Sequence, residues 1–139
     1  MAEGYEPRVF TLQEATGLLP TLRAILHELL EAREGLLAAQ RELAQRSHGG
    51  PRSNGHVAPG GEVARLTTQA DEAQDRLTGA VRAIMELGCE LKDPDRGMVD
   101  FRTERDGRIV YLCWLMDEPR ITYWHELEAG FRGRQPLED

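Results

Sequence analysis

The 139-residue sequence has few cysteines and no long hydrophobic run, and each shortage excludes a class of protein. Its two cysteines, Cys89 and Cys113, lie too far apart for a CxxC metal pair and are too few for a disulfide framework. No stretch reaches the ~18 consecutive apolar residues that a membrane-spanning helix requires. The N-terminal residues are polar and lack the apolar core of a signal peptide, so we expect a cytoplasmic protein with no membrane partner.

Basic residues are also in the minority. The 17 lysines and arginines are outnumbered by 24 aspartates and glutamates, which gives a formal net charge of −7. Binding to a nucleic-acid backbone by charge requires a concentrated basic face. The composition therefore predicts no nucleic-acid partner. The length fits one domain, 1–139, since domains commonly contain roughly 100–200 residues.

Two helical patterns occupy the first two thirds of the chain. Thr11-Leu-Gln-Glu14 has the form of a capping box, and leucines then recur at steps of three, four and seven residues, which predicts a helix over 11–46. Pro20 should kink or break this helix, because proline lacks the amide proton. A second heptad pattern predicts a helix over 62–88. The segment between them, 47–61, is rich in glycine, proline and serine and predicts a flexible loop.

The two helices should fold back on each other as an antiparallel, coiled-coil-like hairpin. A lone hairpin with such narrow apolar faces leaves most of each helix exposed, so we expect the helices to associate into a homodimer or a higher homo-oligomer. The alternative is that the C-terminal part of the same chain covers this face. His48 and His56 lie in the loop without neighbouring ligands, and we interpret them as linker residues.

From residue 97 onward the apolar period changes from 3.6 to 2, which predicts a β-rich C-terminal module over 97–139. Asp106-Gly107 is a preferred two-residue hairpin turn, because both of its positions need a positive φ. If the turn has two residues, Arg105 lies opposite Arg108. A third short strand is predicted at 120–124.

The register of this hairpin separates its two faces. Phe101 lies opposite Leu112 on the face that we expect to be buried, whereas Asp100 lies opposite Cys113 on the more polar face. A slip of one residue would exchange the two faces. The predicted fold class is therefore α+β, predominantly α: a long helical hairpin followed by a small antiparallel β-hairpin or three-strand module.

Cysteine, histidine and carboxylate side chains gather in this module. They are ligands of zinc and iron, and they also act in acid/base or thiol-nucleophile catalysis. We predict a divalent metal, zinc or iron, with ligands drawn from Asp100, Cys113, His125 and Glu128. The predicted catalytic residues are His125, Glu126 and Cys113. No pair has a diagnostic metal spacing, since HELE is not HExxH, and the alternative is a core histidine beside a packed cysteine.

Aromatic and polar side chains in the same module predict a small-molecule pocket. The predicted ligand-binding residues are Tyr111, Trp114, Trp124, Arg134 and Gln135. Arg134 would hold a small anionic ligand through paired hydrogen bonds. The alternatives are an aromatic core and a solvated or ion-paired arginine at the surface.

Four segments resemble a known family: FTLQEATGLLP near the N-terminus, VDF at 99–101, VYLCW at 110–114 and YWHELEAGFRGRQPL at 123–137. They are similar to the signatures of a bacterial family of unknown function, domain of unknown function 2203, over nearly the whole chain. The resemblance implies a small bacterial protein with a long helical region and a short C-terminal motif region, and it implies no activity. It also implies that the family's pattern falls at Asp100, Cys113, Trp114, His125, Glu128, Arg134 and Gln135.

Two functions follow from these patterns. The first is a small-ligand or divalent-metal site in the C-terminal module, used for binding or for acid/base chemistry. The second is a non-enzymatic, homo-oligomeric helical scaffold or protein-interaction module whose aromatic segment is structural. The ionisable groups beside the aromatic residues favour the first, because a hydrophobic plug does not need them. Whether the chain is an enzyme stays open at this point.

Overall fold

The structure, a computed structural model, describes residues 7–49 and 59–137. This part of the chain divides into two compact units, which we call the sheet unit and the helical unit. The sheet unit comprises residues 7–27 and 80–137, and the helical unit comprises residues 28–49 and 59–79. The flexible loop predicted at 47–61, which contains His56, lies mostly outside the described residues.

Helices account for most of the N-terminal part of the chain. They are α1 at Leu12–Gly17, α2 at Leu19–Gly49 and α3 at Pro59–Glu86. The predicted capping box is present, since the Glu14 amide donates to the Thr11 hydroxyl and the Thr11 amide donates to the Glu14 carboxylate. The predicted break is also confirmed: α1 ends before Leu18, and Pro20 lies in the first turn of α2, where its missing amide proton is not needed. No helix in the described ranges is long and apolar enough to cross a membrane.

The helical unit consists of two antiparallel segments of α2 and α3. Ion pairs join Glu28 to Arg76 at 2.8 Å and Arg46 to Glu62 at 3.0 Å, so residue numbers rise along one helix as they fall along the other. These pairs are exposed and contribute little to stability. The buried residues of the unit are Leu29, Ala32, Ala39, Leu66 and Ala73. Three of these five are alanines, so the apolar area buried within this unit is small.

The sheet unit contains an antiparallel sheet of five strands in the order β1-β2-β3-β4-β5. The strands are β1 at Glu90–Asp93, β2 at Met98–Arg105, β3 at Arg108–Leu115, β4 at Tyr123–His125 and β5 at Gln135–Pro136. The α+β class is therefore confirmed, with two more strands than predicted. The four residues of β1 and the two of β5 are too few to show a period of 2 in the sequence. The strand predicted at 120–124 corresponds to β4. It begins three residues later than predicted and extends one residue further, so that it includes His125.

The register of the β2–β3 hairpin is the predicted one. Arg105 pairs with Arg108, and Asp100 pairs with Cys113. The turn residues Asp106 and Gly107 have φ values of 53° and 79°, as a two-residue turn of this type requires. The turn therefore determines which side chains share a face of the sheet.

Both faces of this hairpin are buried, although the sequence predicted burial of one. The apolar face carries Val99, Phe101, Val110, Leu112 and Trp114, all at most 3% exposed. On the opposite face Asp100 and Cys113 are 0% exposed. The chain after β4 covers part of this second face, since the Arg134 guanidinium lies 4.1 Å from the centre of the Tyr123 ring. The face predicted to be more polar is therefore also buried around Asp100 and Cys113.

Gly97 lies in the tight connection that leads into β2, and a substitution there should destabilise the protein. Its φ is 66°, and a Cβ there would lie 2.6 Å from the Met116 Cβ. Gly97→Ala should therefore lower the free energy of unfolding by about 2–3 kcal/mol, from backbone strain plus a steric clash, as measured by urea denaturation. Gly107→Ala is the matched control, because its φ is 79° but no atom lies near its added Cβ, so only strain of about 1 kcal/mol is expected. Equal losses in the two variants would contradict the clash.

Candidate metal centre

Three neighbouring strands bring three metal-ligating side chains onto one face of the sheet. Asp100 in β2 pairs with Cys113 in β3, and His125 in β4 pairs with Tyr111, two residues before Cys113. Because alternate residues of a strand share a face, the carboxylate, thiol and imidazole all point to the same side. Their ligand atoms lie within 4.8 Å of one another, and the three residues are at most 1% exposed. We call Asp100, Cys113 and His125 the triad.

The His125 ring is oriented by its own backbone neighbour. Its Nδ1 lies 2.7 Å from the carbonyl oxygen of Glu126, and because a carbonyl can only accept, Nδ1 carries a proton and donates it. The other nitrogen, Nε2, lies 3.0 Å from Oδ2 of Asp100. In neutral imidazole Nε2 would then be an acceptor that faces another acceptor. A proton or a cation between the two atoms removes this conflict.

The Asp100 carboxylate is unevenly satisfied. Oδ2 has two polar neighbours: it accepts from Lys92 Nζ at 3.3 Å, and Nε2 of His125 lies 3.0 Å away. Oδ1 is buried and has no hydrogen-bond partner among the described residues. A buried charged oxygen without a partner carries a desolvation cost of roughly 1–3 kcal/mol or more. The carboxylate therefore has an unused acceptor inside the cluster.

The Cys113 thiol is protonated at neutral pH. Burial raises its pKa to about 12, the Asp100 carboxylate adds to that shift, and the Arg134 guanidinium opposes it. A thiolate would need a stronger positive charge beside it than these residues provide. Cys113 is therefore a weak nucleophile by itself, and it is a ligand that a metal ion would have to deprotonate.

The geometry of His125 also argues against a nucleophile and base pair. In a nucleophilic triad one ring nitrogen faces the acid and the other faces the nucleophile. Here Nδ1 is held by a backbone carbonyl, and Nε2 lies against Asp100. No ring nitrogen is left to serve Cys113 alone. The three groups instead converge on a common centre, as metal ligands do.

A network of charged side chains borders the triad on the side of β1. Lys92 lies 4.0 Å from the centre of the Tyr111 ring, and the Tyr111 hydroxyl donates to Glu90 at 2.8 Å. Arg102 donates to the other Glu90 oxygen at 3.0 Å. Burial disfavours the charge on Lys92, but the nearby Asp100, Tyr111 and Glu90 together raise its pKa, so it remains an ammonium group.

Arg134 borders the triad on the other side. One of its terminal nitrogens donates to the Cys113 carbonyl at 3.2 Å and to Glu118 at 2.8 Å. Its side chain is 11% exposed, and its Nε is buried without a hydrogen-bond partner in the described part of the chain. Of the predicted ligand-binding residues, Arg134 therefore contacts Cys113, and Tyr111 lies beside His125 with 5.3 Å between the ring centres.

The structure separates the other predicted site residues from the triad. Glu126 forms an exposed ion pair with Arg108, which holds the pKa of Glu126 below its usual value. Glu128 is exposed and does not belong to the cluster of ligand atoms. The remaining three lie on the apolar face or at its edge: Trp114, Trp124 and Gln135. Strand alternation explains this division, because neighbours in sequence point to opposite faces.

Two bordering residues, Glu90 and Lys92, were not predicted as site residues. They belong to β1, whose four residues precede the segment in which the apolar period changes. The alternation of Glu90 and Lys92 about Leu91 is the signal that places both on one side of a strand. This three-residue pattern is too short to identify a strand from the sequence. Only the pairing of Glu90 with Asp100 in the structure identifies it.

Residues 8–137 match the family described as "Uncharacterized conserved protein (DUF2203)". No curated protein and no solved structure matches the chain. The family's description names no activity, so the chemistry of the triad has to be inferred from its geometry.

Burial of the thiols predicts that the native protein resists thiol reagents. Cys89 and Cys113 are both buried, with pKa values raised by burial to about 11 and about 12, so neither should react with an aromatic disulfide reagent at pH 8. Both should react after unfolding in denaturant. Thr67→Cys, at an exposed helical position, is the control and should react rapidly. Rapid labelling of Cys113 in the native protein would contradict its burial and restore the nucleophile interpretation.

Proposed function

The chain belongs to the DUF2203 family, and we propose that it binds a divalent metal ion through Asp100, Cys113 and His125. The observation that carries this proposal is the convergence of three different ligand atoms within 4.8 Å in a buried cluster. The His125 Nδ1 contact with a backbone carbonyl supports it. Metal-binding histidines commonly donate their second ring nitrogen in this way, which directs the other nitrogen at the metal.

The spacing of the ligand atoms suits a first-row metal. Zinc bonds of about 2.0–2.3 Å place tetrahedral ligand atoms roughly 3.3–3.6 Å apart. The ligand atoms of the triad lie up to 4.8 Å apart, so side-chain movements of about 1 Å would bring them to the separation that zinc requires. The Asp100 oxygen without a partner and the Nε2 lone pair of His125 would both be satisfied by the ion.

The donor set favours zinc. A thiolate, an imidazole and a carboxylate are all zinc ligands, whereas magnesium and calcium prefer oxygen ligands alone. Iron(II) is the second choice, since it also accepts sulfur and nitrogen donors. When bound, the ion would supply Lewis acidity or an activated water. The protein would contribute a fixed imidazole and a water-excluding shell.

Lys92 is the feature that opposes a cation here. Its ammonium group lies 3.3 Å from Asp100 and 3.7 Å from Glu90, and its side chain is 34% exposed. Solvent screens an exposed charge, and the flexible lysine stem allows the ammonium group to stay with Glu90 when Asp100 turns to a metal. Lys92 therefore weakens metal binding without preventing it.

The scaffold function stays a prediction. Its support is the antiparallel pair of helices in the helical unit, in which Leu37 and Val63 are 45% and 39% exposed. Two exposed apolar residues are a normal feature of a protein surface. The convergence of the triad is the more specific observation, so the metal-binding function is preferred.

Protein purified without a histidine tag should bind one zinc ion per chain, by elemental analysis and by titration. His125→Ala should abolish stoichiometric binding and leave the helix content, measured by circular dichroism, nearly intact, since His125 lies in β4 and its ring contacts Glu126 and Asp100. Glu126→Gln and Glu128→Gln are the matched controls and should bind normally, because both carboxylates lie outside the triad. A wild-type protein that takes up no metal on titration would refute the proposal.

The affinity for zinc should rise with pH. Because burial raises the pKa of Cys113 to about 12, the thiol keeps its proton through the neutral range, and the metal must displace that proton to bind. The apparent affinity should therefore increase by up to about tenfold between pH 7 and pH 8, with release of about one proton per ion, measured by calorimetry in buffers of different ionisation enthalpy. Cys113→Ser should show a flatter dependence. An affinity that falls over this range would contradict thiolate ligation.

A further inference from the structure

We infer that the fourth position of the bound metal takes a small oxyanion, of the carboxylate or phosphate class, held jointly by Lys92 and Arg134. This inference rests on the proposed metal site and names the class of ligand that completes it. Three protein ligands leave one position of a tetrahedral metal open. Among the described residues no fourth histidine, cysteine, aspartate or glutamate joins the cluster of ligand atoms.

The charges of the cluster call for one more anion when the metal is bound. Without a metal, the Lys92 ammonium neutralises the Asp100 carboxylate at 3.3 Å. A divalent ion would be neutralised by the Asp100 carboxylate and the Cys113 thiolate together. Lys92 and Arg102 would then share the single Glu90 carboxylate, which they approach to 3.7 Å and 3.0 Å. The loaded site would therefore carry one surplus positive charge on two partly exposed side chains, and an anion bound to the metal would compensate it.

Arg134 offers a hydrogen-bond donor for such an anion. Its terminal nitrogen holds the Cys113 carbonyl at 3.2 Å, so the guanidinium lies directly beside one of the three ligands. Glu118, at 2.8 Å, already neutralises its charge. Its Nε remains buried without a partner in the described part of the chain. A buried donor without an acceptor is rare in folded proteins, and an oxyanion oxygen is a strong acceptor.

The burial of the triad restricts the size of the ligand. Asp100, Cys113 and His125 are at most 1% exposed, which leaves no room for a large substrate at the ion itself. Lys92 lies 3.3 Å from Asp100 and its side chain is 34% exposed. A movement of this flexible side chain would therefore give a small ligand access from solvent to the triad. The ligand is therefore limited to a single small group such as a carboxylate or a phosphate, either free or at the end of a longer molecule.

Cobalt(II)-loaded full-length protein tests this inference, because its visible spectrum reports both the thiolate ligand and the fourth ligand. Titration with inorganic phosphate, and separately with acetate, should change the d–d bands saturably at constant ionic strength, with chloride as the blank. A response to phosphate alone assigns the phosphate class, and a response to acetate alone assigns the carboxylate class. Lys92→Met and Arg134→Lys should each weaken this binding by about tenfold or more, since a charge-assisted hydrogen bond is lost or misplaced.

Arg132→Met is the matched control, because Arg132 is an exposed arginine two residues away, and it should bind the anion like the wild type. The thiolate-to-cobalt charge-transfer band identifies variants that still hold the metal. If cobalt binds with this band but neither anion changes the spectrum, the inference is overturned while the metal site stands. Anion binding of unchanged strength in both Lys92→Met and Arg134→Lys would also overturn it. Failure of the wild type to bind cobalt or zinc would instead refute the metal site.

Discussion

A carboxylate sealed between strands is the constraint on which the C-terminal site depends. Asp100 is 0% exposed, and a buried charge is tolerated when other groups compensate it. Lys92 from β1 provides that compensation at 3.3 Å, and Nε2 of His125 from β4 lies 3.0 Å from the same oxygen. Side chains from the central hairpin and from the strands on both sides of it therefore meet at this carboxylate. The polar face of the sheet has to stay ordered for that charge to remain buried.

The direction of a single imidazole ring separates two kinds of chemistry at this site. The same residue types, cysteine, histidine and aspartate, form both nucleophilic triads and metal centres. Because the Glu126 carbonyl holds Nδ1, His125 has one nitrogen left, and that nitrogen lies beside Asp100. The raised pKa of the buried Cys113 thiol points the same way, since an activated nucleophile needs a lowered one. Both observations favour a metal ion that the three side chains share over proton transfer between them.

Much of this architecture could be predicted from local patterns. The capping box at Thr11, the break near Pro20 and the turn at Asp106-Gly107 each depend on a few consecutive residues, and all three are present. The short edge strands were not predictable, because their hydrogen-bond partners lie elsewhere in the chain. Their absence from the prediction is also why Lys92 was missed. Trp114 was grouped with the site as one of the aromatic residues of the module, although strand alternation places it on the face opposite Cys113.

The sequence by itself determined the hairpin register and hence that Asp100 and Cys113 share a face, because a two-residue turn permits one alignment of its strands. It also determined which residue types were available for metal chemistry. Only the tertiary structure decided that this face is buried, that His125 joins the pair, and that Lys92 and Arg134 border it. Those outcomes depend on β1, β4 and the segment after β4. The contacts between these segments join residues distant along the chain, and no local pattern encodes them.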